Sequence, residues 1–259
     1  MAEERREHIA AAVAQRGFMS IGDIMSYAGC SVATARRDLD GLAAAGRLRR
    51  SRGGAMVPFG SEAAAAPGGS LPAPDGDTEP DPYAGAKRRI ARAAADLVMD
   101  GDTVGLAGGT TTLEVARCLR GRQLGLVTNA IDIARELSSA PGSRVVLVGG
   151  VLNAGMDELV GPLAEGMLAQ IRVDTLFISV DGLSVEAGAT IIGDLEAPVV
   201  RAFSDRARRT IIVADHRKIG RTAVTQALPI TAVHDLVTDA GPSSAREAIE
   251  QAGVRVVVV

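Results

Sequence analysis

Two patterns along the 259-residue sequence predict an α/β protein built in two parts. From Ser20 to Val57, two short helical stripes are separated by a glycine and followed by an arginine-rich, glycine-bearing hairpin; from about residue 83 onward, β-branched runs alternate with helical patterns. Between these stretches, Pro58 to Pro82 is dominated by Pro, Gly, Ala, Ser and acids, and cannot bury a core. The predicted organisation is therefore a small winged helix-turn-helix over residues 1–57, a flexible acidic Pro/Gly-rich linker over 58–82, and a mainly parallel α/β sheet domain over 83–259.

In the first part, Ser20 is placed to cap a helix with Asp23 at its acidic third position, and Ile21, Ile24, Met25 and Ala28 fall on one stripe. Gly29 ends that helix. Ser31 is placed to cap the next, whose Ala35, Leu39 and Leu42 face inward and leave Thr34, Arg36 and Arg37 outside. Gly46 closes it, and Arg47, Arg49, Arg50 and Arg52 lead into Gly53-Gly54 before Ala55, Met56 and Val57 return as a second strand. Helix, turn, helix and basic hairpin occur in the order that reads double-stranded DNA. Arginine suits that task because a duplex combines dense negative charge with base-edge acceptors in a groove wide enough for one helix. The competing reading pairs Arg36 and Arg37 with Asp38 or Asp40 on a solvated helix face.

Charge follows this division. Residues 1–57 hold nine arginines against six acids, whereas 58–82 have five acids and no base, although the whole chain carries only −3. The linker is read as a tether because structureless loops of this length are uncommon within compact domains.

In the second part the strand-like runs are Thr103–Leu106, 124–128, 144–148, 175–180, 210–214, 232–238 and 255–259; candidate helices lie at 87–99, 111–119, 131–137, 163–171, 195–207 and 244–252. Such alternation implies a mainly parallel sheet covered on both faces, with ligands at the carboxyl ends of its strands. After the first strand comes Ala107-Gly108-Gly109-Thr110-Thr111-Thr112, opening a helix. Glycines allow backbone amides to approach an anion, the helix start supplies unpaired N–H groups, and threonines add donors. This turn lacks both the Gly-Lys-Thr/Ser of a Walker loop and the dinucleotide Gly-x-Gly-x-x-Gly pattern. Alone, it is equally well read as ordinary turn geometry. Thr128-Asn129, Gly149-Gly150, Asp181-Gly182, and Asp215 with Lys218 follow other strands.

Both parts resemble the DeoR family of bacterial transcriptional regulators. Ser31-Val32-Ala33-Thr34-Ala35-Arg36-Arg37-Asp38-Leu39 is similar to the family's recognition helix, Leu48-Arg49-Arg50-Ser51-Arg52-Gly53-Gly54-Ala55 to its wing, and the resemblance continues from Lys87 to about Asp239. It implies a body of the ribose-5-phosphate isomerase/CoA-transferase type that senses a phosphorylated sugar. Carried over position by position, Ser31, Thr34, Arg36, Arg37, Arg49, Arg50 and Arg52 would meet DNA. Gly108, Gly109, Thr110 and Thr111 would hold phosphate, Asn129 and Asp181 would contact sugar hydroxyls, Gly150 would line the pocket, and Lys87 and Lys218 would add positive charge. The chain departs from the family at Ala107, where an aspartate often opens the turn, and at Val200, where a lysine often stands. The linker does not match.

The expected function is a sequence-specific regulator, a repressor of genes for sugar or related metabolism, with operator DNA and a phosphorylated sugar as partners. A small head contacts few base pairs, so a homo-oligomer is expected as well. The alternative is a sugar-phosphate isomerase or acyl-CoA transferase with an accessory DNA-binding head, using Asp181, Asp215 and Lys218; Glu186 and Glu196 are unconvincing nucleophiles for the transferase. A third reading is an adaptor with a vestigial pocket. Cys30 and Cys118 are read as small core residues, and the three histidines show no ligand spacing, so no catalytic residue, metal or cofactor is assigned. No apolar run reaches the roughly 20 residues of a membrane helix, and the charged N-terminus is unlike a signal peptide, so a cytoplasmic location is expected.

Overall fold

The computed structural model describes residues 2–16, 18–51, 54–56, 81–241 and 243–259. The chain forms two compact units, Met1–Glu79 and Pro80–Val259. Arg52, Gly53, Val57 and nearly all of the linker reading lie outside the described residues.

The first unit contains α1 (Ala2–Arg16), β1 (Phe18–Ser20), α2 (Ile21–Ala28), α3 (Val32–Ala44), β2 (Arg49–Ser51) and β3 (Gly54–Met56). Its antiparallel sheet runs β1-β3-β2, with Arg49 opposite Met56 and Ser51 opposite Gly54. Ile9 and Val13 of α1 pack with Met19, Ile24, Leu39, Leu42 and Leu48 in one core. As expected, α2 and α3 are separated by Gly29, whose φ of 58° ends the helix in the left-handed region. Ser31 caps α3, its Oγ accepting from Thr34 N at 3.3 Å. Ser20, which directly precedes α2, is the last residue of β1 and pairs with Gly54. One feature differs from the sequence reading. The helix α1 was not anticipated, because its apolar stripe is mostly alanine and is interrupted by charges at its start.

The second unit is a doubly covered sheet. Its elements are α4 (Ala84–Ala95), β4 (Thr103–Leu106), α5 (Thr110–Leu119), β5 (Gly125–Thr128), α6 (Ile131–Ser138), β6 (Arg144–Leu147), β7 (Val151–Asn153), β8 (Glu158–Val160), α7 (Pro162–Leu168), β9 (Val173–Ile178), β10 (Gly182–Ser184), β11 (Gly188–Ile191), α8 (Glu196–Ser204), β12 (Ala207–Val213), β13 (Thr225–Leu228), β14 (Asp235–Thr238), α9 (Ser243–Gln251) and β15 (Arg255–Val258). Seven strands pair in the order β15-β14-β12-β9-β4-β5-β6, every pair parallel. Alternation along a strand sends neighbours to opposite faces. Leu176 and Ile178 join Ala164, Val199, Phe203, Ile212 and Leu236 in one apolar layer. Phe177 joins Ile90, Val115, Ile133, Ile211 and Val237 in the other.

Strand order reverses at β4 and β9: the chain builds outward through β5 and β6 on one side and through β12, β14 and β15 on the other. Ligands of open parallel sheets gather outside the carboxyl ends of strands at such a point. Two small additions stand among the connections, the β7-β8 hairpin and the antiparallel β10-β11-β13 sheet. The sequence pattern missed these because runs of three or four residues are too short to display a period.

Candidate functional site

The outer face of α3 and the β2-β3 hairpin form the candidate DNA interface. Ala35, Leu39 and Leu42 anchor α3 in the core, which leaves Ser31, Arg36 and Arg37 exposed and Thr34 half-buried. Asp38 is buried, its carboxylate held by Arg5 Nε at 2.7 Å and Arg6 Nε at 3.0 Å. Burial alone would raise this carboxyl, but the two arginines outweigh it and hold it below the usual carboxylate range. Asp40 instead pairs with Arg50, whose Nη1 also donates to the Arg36 carbonyl at 3.2 Å. Both acids that could have neutralised Arg36 and Arg37 are thus engaged by other arginines, and neither Arg36 nor Arg37 is in an ion pair among the described residues. The Arg50 bridge ties the hairpin to α3. Arg49 is exposed beside it on β2.

In the second unit, the connection from β4 to α5 lies at the switch point. Gly109 precedes α5 with φ 130° and has no side chain to cap it, so the first-turn donors other than Thr112 N add to the helix dipole. The approach here is too close for any side chain: a Cβ on Gly109 would stand 2.7 Å from Ser179 Cβ, and one on Gly108 would stand 2.0 Å from Glu158 Oε1. Ser179, just beyond β9, fixes the turn by accepting from Thr112 N at 3.2 Å. Lys87 of α4 reaches across to Thr110, Nζ to Oγ1 2.7 Å, and pairs with Asp81 at 2.8 Å. Thr111 is buried.

Around this turn, Asn129 follows β5 and is buried; its Nδ2 donates to Glu158 Oε2 at 3.1 Å. Asp181 follows β9, receiving Lys218 Nζ on one oxygen at 3.1 Å and Ile192 N on the other at 2.9 Å. Lys218 lies in a short 3-10 turn, His216–Lys218. Asp215 caps that turn and binds Arg217 through both oxygens. Arg217 in turn covers the Tyr83 ring, 3.1 Å from its centroid. Gly150 is set by packing, since a Cβ there would come 2.8 Å from the Val160 carbonyl. Ala107 and Val200 belong to the apolar layer of α7 and α8.

Sequence reasoning missed Glu158 and Ser179. Glu158 lies in a hairpin too short to show a strand pattern, and Ser179 was absorbed into the end of a predicted strand. Burial, with smaller contributions from Glu196 and Asp132, pushes the Glu158 carboxyl up to about 7 against the hydrogen bond from Asn129. Glu196 is also raised by burial. It receives a hydrogen bond from Asn153 Nδ2.

A helix-turn-helix head with arginines on its outer face, and a parallel α/β body with a glycine-threonine turn at its switch point, together have the architecture of a transcriptional regulator. Residues 5–58 match the DeoR-like helix-turn-helix domain and residues 83–240 the DeoR C terminal sensor domain; the chain belongs to the DeoR family. Its relatives extend along nearly the whole length. The HTH-type transcriptional regulator GlpR of Haloferax volcanii is 34% identical over 98% of this chain and 96% of its own. The transcriptional repressor AccR of Agrobacterium fabrum is 33% identical over 96% and 94%. The glycerol-3-phosphate regulon repressor of Escherichia coli K12 is 29% identical over 92% and 91%. Among solved structures, ribose 5-phosphate isomerase A of Methanocaldococcus jannaschii is 18% identical with a TM-score of 0.37, covering 53% of each chain. The family and these relatives make the chain a regulator of transcription and not an enzyme. Among the described residues, no helix is long and apolar enough to cross a membrane.

Proposed function

We propose that this regulator is a cytoplasmic repressor of sugar or related metabolism genes, that it binds its operator as a homo-oligomer, and that a phosphorylated sugar releases it. The head (1–57) reads the operator through Ser31, Thr34, Arg36 and Arg37 on α3, with Arg49, Arg50 and Arg52 on phosphates. The tether (58–82) connects it to the sensor body (83–259). The observation that carries the sensing half is the glycine-lined start of α5 at the switch point, with Lys87 bonded to Thr110 there.

In this reading phosphate lies on the Gly108–Thr111 turn. Asp81, paired with Lys87, is a carboxylate standing where a ligand's negative charge would otherwise go. An arriving phosphate competes for the Lys87 ammonium and loosens the start of the body, the segment that continues from the tether. Asn129 and Asp181 meet sugar hydroxyls, Gly150 shapes the pocket wall, and Lys218 adds positive charge. A tenfold loss of operator affinity on effector binding requires only about 1.4 kcal/mol of coupling.

Thermal unfolding of the full chain with a panel of phosphorylated sugars tests the sensing half, because a ligand specific to the native state stabilises it by mass action. A rise in Tm that disappears in the Thr110→Ala, Thr111→Ala double variant is expected. A rise that survives in that variant places the ligand elsewhere.

A further inference from the structure

Two buried carboxylates, one beside the phosphate turn and one linked to it through the β7-β8 hairpin, are left without a task by the reading above. Glu158 rests against Gly108, and Glu196 starts α8. The hairpin joins them: Asn153 lies opposite Glu158 in the β7-β8 register and donates to Glu196. The only side-chain groups bonded to either carboxylate among the described residues are the neutral amides of Asn129 and Asn153. The nearby cations are engaged elsewhere, Lys87 with Asp81 and Thr110, and Lys218 with Asp181.

An independent observation concerns hydrogen bonding. Asn129 Oδ1 and Glu196 Oε2 are buried and have no partner. The orientation of the Asn129 amide is fixed by its surroundings, since its nitrogen faces two acceptors, Glu158 Oε2 and the Leu159 carbonyl at 3.4 Å. Buried acceptors without donors are costly and uncommon in native proteins. The site therefore presents unpaired acceptors and uncompensated carboxylates next to a turn built for an anion.

We propose that the effector is an amino-sugar phosphate, its phosphate on the α5 N-terminus and its ammonium held by Glu158, Glu196 and Asn129 Oδ1. A sugar hydroxyl at that place supplies one donor and no charge, so it would satisfy one acceptor. An ammonium supplies three donors and the opposite charge. The inference rests on the phosphate reading above and narrows it to a substrate class.

Calorimetric titration of the full chain with glucosamine 6-phosphate, galactosamine 6-phosphate, their N-acetylated forms, and the matching glucose and galactose 6-phosphates tests it. One of the free amines is expected to bind at least about tenfold tighter than its acetylated and hydroxyl counterparts, the range of a hydrogen bond to a charged group. Glu158→Gln and Glu196→Gln, each checked for an intact unfolding transition, should bring that preference to within about twofold by weakening the amine far more than the hydroxyl compound. A hydroxyl sugar phosphate that binds as tightly as its amine, or a preference that persists in both variants, overturns the inference. If the neutral sugar phosphates bind and lose binding with Thr110→Ala, Thr111→Ala, the phosphate reading stands without it. If none of the compounds binds, both fall.

Discussion

At the scale of single residues, the sensor body is governed by where charge is buried. Glu158 ionises near pH 4.5 when unfolded and near pH 7 in the native protein. Between those values the native state holds a proton that the unfolded state has released, so stability falls as pH rises through this window. A shift of that size corresponds to about 3 kcal/mol at its full extent. Glu158→Gln should flatten the pH dependence between pH 5 and 7 and be more stable than the native sequence at pH 8, as measured by denaturant unfolding at each pH. A slope unchanged by the substitution would show that Glu158 ionises normally. Gly108 provides a steric counterpart. A methyl group there would stand 2.0 Å from Glu158 Oε1, so Gly108→Ala must expel the carboxylate from its place. The expected cost is about 1–3 kcal/mol, the usual range for overpacking, together with loss of effector binding measured by calorimetry.

At the scale of elements, the proposed function rests on helix faces, helix ends and strand ends. The α3 helix presents Arg36 and Arg37 because its inner stripe is fixed by Leu39 and Leu42 and because Arg5, Arg6 and Arg50 take the neighbouring acids. The α5 helix presents Thr110 at its N-terminus because Gly109 has no side chain to cover it. The α4 helix brings Lys87 to that end, where Asp81 holds it. Removing this competitor should strengthen phosphate binding: Asp81→Ala is expected to lower the Kd of a sugar phosphate severalfold, by less than about tenfold because the pair is partly exposed and screened. An unchanged or raised Kd, read by calorimetry, would remove Asp81 from the mechanism.

The same scale shows what was legible in the sequence. Each of the seven sheet strands was anticipated, since buried parallel strands read as apolar β-branched runs whatever their neighbours. The helices of the body were found within a few residues at their ends. The turn after β4 was legible as a helix start at a strand's carboxyl end, although glycine and threonine there serve ordinary turn geometry equally well. Glu158 was not, because its role comes from a three-residue strand folding back over Gly108, a contact that no local pattern encodes. The alanine-rich α1 and the pairing of Ser20 with Gly54 were hidden for the same reason: each is decided by tertiary partners, Ile9 and Val13 against Leu39 in one case and β3 in the other.

At the scale of the whole molecule, a basic head and a near-neutral body are joined by an acidic stretch, and the family assigns the two units reading and sensing. Because reading and sensing rest on separate residues, they should separate in variants. Arg37→Ala is expected to weaken operator binding while leaving the Tm and the effector response of the body unchanged; an operator affinity equal to that of the native chain would remove Arg37 from the interface.

The most direct test of the central claim is the affinity of the full chain for an operator selected from random-sequence DNA, measured by fluorescence anisotropy with and without the sugar phosphate that most raises its Tm. The account predicts a loss of at least about tenfold with effector, equivalent to 1.4 kcal/mol, and no change in the Thr110→Ala, Thr111→Ala variant. Operator affinity indifferent to every sugar phosphate, or a release that persists in the double variant, would contradict it.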